Sequence, residues 1–305
     1  MQLTTTLAGI SLPNPLVLAS GIMGVSASTM KFVEENGAGA VTMKSIGPVE
    51  RTGHHNPTVF SWGAGLTNAV GLSNQGVDAA LPEIQTALDR LKIPLLASMF
   101  GGTVDEFKQV AEKLCTLPIK LLELNLSCPN VQDSHGRMFA LDADRTEATV
   151  KAVKEVSGNV KIFAKLTPEA PNIVEIAKAA EAGGADGITA INTISGMVID
   201  ITQRRPILTN KSGGISGPAI KPVGVRAVYN ISKEVRLPII GTGGVETGSD
   251  ALEYIMAGAT AVGVGSAVWS KGINVFSKIT TEMETIMNEQ GITSLDEIRG
   301  VAHSA

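Results

Sequence analysis

Cys128 stands between Asn125 and Asn130, directly before Pro129, where an apolar run over 119–126 gives out. Proline has no N–H and a fixed φ, so a strand built from that run stops here, with the cysteine at its C-terminal end. A thiolate so placed is a base or a nucleophile. The neighbouring carboxamides offer donors and acceptors to a ligand carrying amide or imide groups. The other reading of Cys128 is a small buried hydrophobe, as free cysteines often are. Lys44 and Lys165 close two further apolar runs, 40–43 and 160–166. Lysine is rarely buried without a partner. One such lysine could extend its head to water; two on a rim that also carries a cysteine and asparagines make that reading much weaker and point to a site.

The elements that must hold these groups repeat along the chain. Short apolar runs at 15–20, 40–43, 94–98, 119–126, 160–166, 186–191, 238–240 and 260–264 predict eight buried strands. Helical patterns separate most of them, at 28–36, 78–91, 104–114, 142–156, 171–182, 222–235 and 249–257, with a last helix at 275–289. Leu81, Ile84, Leu88 and Leu91 make one stripe of the 78–91 helix, Asp142 is a plausible N-cap, and Asp105 and Glu106 favour a helix N-terminus. Residues 3–12 predict a hairpin turning at Ala8-Gly9. Two long insertions, 46–76 and 196–217, break the rhythm, and loops of that length are usually functional. His54 and His55 fall in a polar loop, and His303 in a short tail.

Continuous apolar strands joined by crossover helices mean a parallel sheet covered on both faces. Eight units in 305 residues predict an α/β fold, a (β/α)8 TIM barrel with an N-terminal hairpin and insertions at the C-terminal face. A doubly wound sheet shares the pattern. Against it, no Gly-x-Gly-x-x-Gly follows the first strand, and the glycine turns Gly241-Thr242-Gly243-Gly244 and Gly265-Ser266 follow the last two, where barrels bind phosphate. Such turns suit a substrate phosphate or the tail of flavin mononucleotide (FMN). The strand tips then carry Ser20, Lys44, Ser98, Asn125 with Cys128, Lys165, Asn192 with Thr193, Gly243 with Gly244, and Gly265 with Ser266.

A net charge of −4 and the lack of a lysine/arginine run argue against nucleic acid or an anionic membrane as partner. The two cysteines, Cys115 and Cys128, make neither a disulfide framework nor a metal cluster, so no metal is expected and a reducing compartment is. With no signal pattern and no apolar stretch of membrane-spanning length, the expectation is a soluble cytoplasmic chain forming one domain over 1–305. Cys115, in a helix-to-strand turn, reads as structural.

The run Asn125-Leu126-Ser127-Cys128-Pro129-Asn130 resembles the catalytic signature of class 1 dihydroorotate dehydrogenases. Lys44-Ser45, Asn68-Ala69-Val70-Gly71-Leu72, Ile191-Asn192-Thr193, the 213–219 segment and both glycine turns fall in that family's order. The resemblance implies FMN across the barrel mouth, contacted by Ser20, Lys44, Ser45, Ser98, Asn125, Lys165, Ile191, Gly217, Gly243, Gly244, Gly265 and Ser266. It implies that Lys44, Asn68, Ala69, Val70, Gly71, Leu72, Asn125, Asn130, Asn192 and Thr193 hold orotate or dihydroorotate, with Cys128 the base at C5 and hydride passing from C6 to the flavin. Residues 131–141 would form a lid.

The cysteine base fits the soluble class. One subgroup of that class is a homodimer that reduces fumarate. The other pairs with an iron–sulfur, FAD-bearing electron-transfer subunit in a heterotetramer and uses NAD, and the 71–76 sequence favours it. Residues 54–62 depart from the Gly-Asn-Pro-x-Pro-Arg pattern common there, lacking the second proline and the arginine, which leaves the acceptor open. The rival readings are a flavin enzyme reducing uracil or thymine, as dihydropyrimidine dehydrogenases do, a flavin-free lyase or isomerase barrel, and a non-catalytic scaffold.

Overall fold

The computed structural model describes residues 3–127 and 138–304. Eight parallel strands close into a barrel: β1 (Leu16–Leu18), β2 (Ala40–Thr42), β3 (Leu95–Met99), β4 (Leu121–Asn125), β5 (Lys161–Leu166), β6 (Gly187–Ala190), β7 (Ile239–Thr242) and β8 (Ala261–Val264). β8 pairs back onto β1, so no edge is left exposed. Helices α1 (Ala27–Glu35), α2 (Val77–Arg90), α3 (Val104–Leu114), α4 (Ala143–Val156), α5 (Ile173–Ala182), α6 (Lys221–Glu234) and α7 (Gly248–Met256) cover the outside in turn. The TIM barrel predicted from the alternation is therefore the fold.

Two apolar cores follow from the strand alternation. Outward residues meet the helices. Inward ones, Val17, Ala40, Leu96, Leu121, Phe163, Ile240 and Ala261, fill the barrel together with Leu7 and Leu12. Those two leucines belong to the N-terminal hairpin, Thr5–Leu7 against Ile10–Leu12, which plugs the barrel floor. Its turn, Ala8-Gly9, has positive φ at both residues (50° and 85°), the geometry a two-residue hairpin loop needs. Phe163 occupies so much of the interior that a Cβ at Gly187 would lie 2.2 Å from its ring.

Helix starts agree with the cap chemistry of the sequence. Asp142 accepts the Arg145 N–H at α4, Thr103 that of Glu106 at α3, and Thr247 with Asp250 makes a capping box at α7. On α2 the buried stripe is Val77, Ala80, Ile84 and Ala87, with Leu81, Leu88 and Leu91 at its margins. The leucine stripe is thus rotated: small residues let the helix sit close to the barrel while longer side chains reach in from the flanks.

The long insertions are not loops. Leu66–Asn68 and Val59–Ser61 from the first join Gly213–Ser216 from the second, and Ile194–Gly196 leading into it, in one four-stranded antiparallel sheet. It lies at the end of the barrel where the strands finish. The 54–62 segment supplies one of its two edge strands. A short helix, α8 (Ser266–Lys271), follows β8 and precedes α9 (Val275–Glu289). The tail is packed rather than free. His303 Nε2 lies 2.9 Å from Ser232 Oγ, its ring is 4.4 Å from that of Tyr229, and Arg299 donates to Thr5 Oγ1 at 3.2 Å. No helix among the described residues is long and apolar enough to cross a membrane.

The hairpin floor predicts a large cost for a small change. Leu12→Ala leaves a cavity beneath Leu96 and Phe163 and is expected to destabilise the fold by about 2–5 kcal/mol, read from urea unfolding. An unchanged midpoint would mean the floor does not seal the barrel.

Candidate active site

Every barrel strand ends in, or runs into, a residue whose side chain or turn serves the mouth. A continuous line of hydrogen bonds crosses it. Ser98, on β3, donates from Oγ to Glu123 Oε1 on β4 at 3.2 Å. Ser45 Oγ is 2.8 Å from Ser98 Oγ, and Asn125 Nδ2 donates to Ser45 Oγ at 3.3 Å. Ser127 Oγ donates to Asn125 Oδ1 at 3.3 Å and accepts from Asn192 Nδ2 at 2.8 Å. Asn192 Oδ1 takes the Thr193 N–H at 2.8 Å. Ser20, after β1, donates to the Met43 carbonyl at 3.0 Å and lies 3.3 Å from Ser45. The tips of β1, β2, β3, β4 and β6 are thereby tied into one polar layer above the apolar interior.

The two lysines occupy different environments. Lys165, 6% exposed, has its Nζ 3.7 Å from the Glu123 carboxylate, itself 2% exposed. Lys44 is half-buried and its Nζ makes no ion pair or hydrogen bond with any described residue; burial alone holds its pKa below the usual 10.5. A half-buried ammonium without a protein counter-charge fits a mouth that receives an anion.

The glycine turns have their own support. Gly243 and Gly244 take φ of +130° and +70°, conformations that favour glycine. Tyr254, fully buried on α7, donates to the Gly243 carbonyl at 2.8 Å, and its burial raises the phenol pKa. Lys221 reaches Asp250 and Glu253, each at 2.7 Å, fastening the start of α6 to α7. Gly217, with φ of +104°, backs onto the same turn: a Cβ at Gly244 would lie 2.7 Å from its carbonyl oxygen. Ile191 follows β6 and is buried, and a Cβ at Gly243 would lie 3.5 Å from its Cγ1. Gly265 differs, since a Cβ there meets Ala19 at an ordinary 3.4 Å; Ser266 opens α8.

The mouth sheet carries the 68–72 segment. Asn68 donates from Nδ2 to the Gly214 carbonyl at 3.3 Å, and Thr193 packs on Gly214, where a Cβ would come within 2.1 Å of Thr193 Oγ1. Ala69 and Gly71 are buried, Val70 is half-buried, and Leu72 holds a left-handed φ of 56°. Asn74 secures the return: it accepts from the N–H groups of Gly47 and Gly76 and donates to the Leu72 carbonyl.

Cys128, Asn130 and the 131–137 part of the expected lid lie outside the described residues. The end of that segment, Phe139–Leu141, is a buried 3₁₀ turn with Phe139 edge-on to Phe107 at 5.3 Å, so it anchors rather than covers. Cys115 ends α3, away from the mouth, and burial pushes its thiol pKa up to about 11, which suits the structural role expected of it. Reading the sequence did not single out Glu123, Ser127 or Tyr254. The signal for Glu123 was there: one carboxylate inside an otherwise apolar strand.

Two outcomes follow from these environments. Protonated Lys44 is disfavoured in the ligand-free fold, so its penalty is full at low pH and fades as pH rises towards 10.5. Lys44→Met is therefore expected to raise the neutral-pH melting temperature of the ligand-free protein and flatten that alkaline dependence; a melting temperature that falls would contradict a strained ammonium. Cys115→Ser should leave alkylation of Cys128 and ligand binding as in the wild type, and a loss of either would give Cys115 more than a structural part.

The family model described as dihydroorotate dehydrogenase matches residues 2–287. Proteins named dihydroorotate dehydrogenase B (NAD(+)), catalytic subunit, are similar along nearly their whole length. The one from Methanocaldococcus jannaschii is 43% identical over 305 residues, covering 99% of this chain and 98% of that protein. The one from Thermoplasma acidophilum is 46% identical over 301 residues, covering 99% of each, and the one from Methanosarcina mazei 44% over 299 residues, covering 98% and 94%. With a closed eightfold barrel whose mouth carries two lysines and a line of amides, and with this match from end to end, the chain belongs to the dihydroorotate dehydrogenase family.

Proposed function

We propose that this chain oxidises (S)-dihydroorotate to orotate, in pyrimidine biosynthesis, with FMN held across the barrel mouth. The observation that carries the reading is the layer of amides and hydroxyls from Ser45 to Thr193 beside an ammonium, Lys44, that lacks a protein partner among the described residues. Together they match a planar pyrimidine with alternating N–H and C=O groups and a carboxylate. The glycine turns at 217, 243 and 244, backed by Tyr254, suit the phosphate end of FMN, with Gly265 and Ser266 beside them. Ser20, Ser45, Ser98, Asn125, Lys165 and Ile191 would hold the ring system.

The reaction removes a proton from C5 and a hydride from C6. When bound, the flavin supplies the two-electron acceptor for that hydride. The chain supplies the rest. Cys128 takes the C5 proton as thiolate. Asn125, Asn130, Asn192, Thr193 and the 68–72 segment fix the ring so that C5 faces this base. Lys44 balances the carboxylate and the charge that develops on the ring as the proton leaves, and Lys165 favours negative charge at the layer beneath. The mouth sheet limits water access.

The relatives' names carry both NAD(+) and "catalytic subunit". We extend that to this chain: electrons leave through an associated iron–sulfur, FAD-bearing subunit that meets NAD, and the catalytic chain pairs with a second copy.

Purified protein should be yellow, bleach anaerobically on adding dihydroorotate, and recover colour with NAD only when the second subunit is present. Recovery with fumarate alone would assign the other acceptor; bleaching by dihydrouracil but not dihydroorotate would overturn the substrate. Cys128→Ala should keep its flavin yet lose at least about 100-fold of the bleaching rate at neutral pH, as removal of a general base does. A full rate in that variant removes the cysteine from the mechanism.

A further inference from the structure

We propose that Glu123 is a positioning residue for the mouth: its carboxylate seats the Lys165 ammonium and, through Ser98 and Ser45, fixes the direction in which Asn125 presents its amide. The inference rests on the flavin and orotate reading above and extends it to a group that touches neither ligand.

The argument begins with what a carboxylate can do. Ionised, it only accepts. Ser98 Oγ, 3.2 Å away, must then donate to it. That leaves Ser98 oxygen to accept, so Ser45, 2.8 Å away, donates to Ser98. Ser45 oxygen can in turn accept, and it does so from Asn125 Nδ2 at 3.3 Å. With its amino group committed, Asn125 turns Oδ1 towards Ser127, which donates at 3.3 Å and itself accepts from Asn192 Nδ2 at 2.8 Å. Asn192 Oδ1 closes the line on the Thr193 N–H. Every link runs the same way, pinned at both ends: the Thr193 N–H, which can only donate, orients Asn192, and the Glu123 carboxylate, which can only accept, orients Ser98, Ser45 and Asn125. Without the carboxylate, the two serine hydroxyls would permit either orientation of Asn125.

The second arm is the ion pair. Lys165 and Glu123 are both almost wholly buried, and 3.7 Å separates Nζ from Oε1. A buried pair of this kind stabilises a fold no better than apolar residues of the same volume, whereas removing one partner strands the other charge. Lys165 without Glu123 would lose its buried counter-charge and its seat. Glu123 thereby acts through Lys165 on the flavin and through Ser98 on the pyrimidine.

The test uses the flavin-loaded protein with Glu123→Gln, Lys165→Met and the double variant, and reads the midpoint potential of the bound flavin and the dissociation constant of orotate. Lys165→Met removes a positive charge and lowers the potential. Glu123→Gln, nearly isosteric, is expected to lower it as well, with the double variant no lower than Lys165→Met alone. Orotate binding in Glu123→Gln should weaken about ten-fold or more, because a glutamine can donate to Ser98 and reverse the line as far as Asn125, turning that amide over. A raised or unchanged potential, additive shifts, or unaltered orotate affinity overturns the proposal. Should Glu123→Gln not fold, Glu123→Asp carries the test. It keeps the charge but withdraws it by one methylene, so a smaller lowering, absent in the Lys165→Met background, supports the role, and no lowering overturns it. A wild-type protein that takes up no flavin, or whose flavin dihydroorotate does not reduce, sinks the functional reading and this inference with it. A normally reduced wild type with indifferent Glu123 variants sinks the inference only.

Discussion

A charge inside a dry barrel must find its opposite or stay near water, and that constraint organises this molecule. Glu123 and Lys165 lie on neighbouring strands and face each other one layer below the mouth. Beneath them the interior is apolar, from Phe163 and Leu121 down to Leu7 and Leu12 of the floor hairpin. Above them the groups become hydroxyls and amides. The pair marks the level at which the barrel stops being a core and becomes a site, and the hydrogen bonds that leave it through Ser98 tie five strand tips into one surface.

The same division separates support from chemistry. The floor is closed by side chains that can do nothing but pack, and Cys115, near that end, has its thiol pKa pushed up to about 11. The mouth holds the groups that are costly to bury, and each is backed from outside the barrel. Tyr254 reaches in from α7 to hold the Gly243 turn, the Lys221 ion pairs join α6 to α7, and Asn74 holds the backbone around Leu72. These supports leave the mouth-facing side free: Lys44 has no partner among the described residues, and Asn125 and Asn192 each retain capacity after their links are made. A planar ligand with amide edges and negative charge fits what remains.

The two insertions show how the barrel gains a cover. Strands from both pair into a single sheet over the strand ends. Gly213 and Gly214 are required where the strands press against Asn68 and Thr193, since a Cβ at either would collide. The cover therefore carries Asn68 and packs on Thr193, two of the residues proposed above to hold the pyrimidine.

Much of this was legible in residue order. The alternation of apolar runs with helical stripes determined the barrel, the caps at Asp142 and the turn at Ala8-Gly9 determined local boundaries, and the lysines, asparagines and glycines at the run ends determined which residues belong to the mouth, because each rests on interactions within a few residues of chain. Tertiary structure alone decided the rest. The strand pairing of 59–68 with 194–216 joins segments far apart in sequence, so neither carries the other's pattern. The rotated stripe on α2 depends on the surface it packs against, and the tail's seat on Ser232 and Thr5 depends on two distant partners. Glu123 is the sharpest case: its place in the sequence says only that a carboxylate interrupts an apolar strand, and whether that charge is tolerated, and what it then directs, is set by a lysine and a serine that the closed barrel brings alongside from the strands on either side.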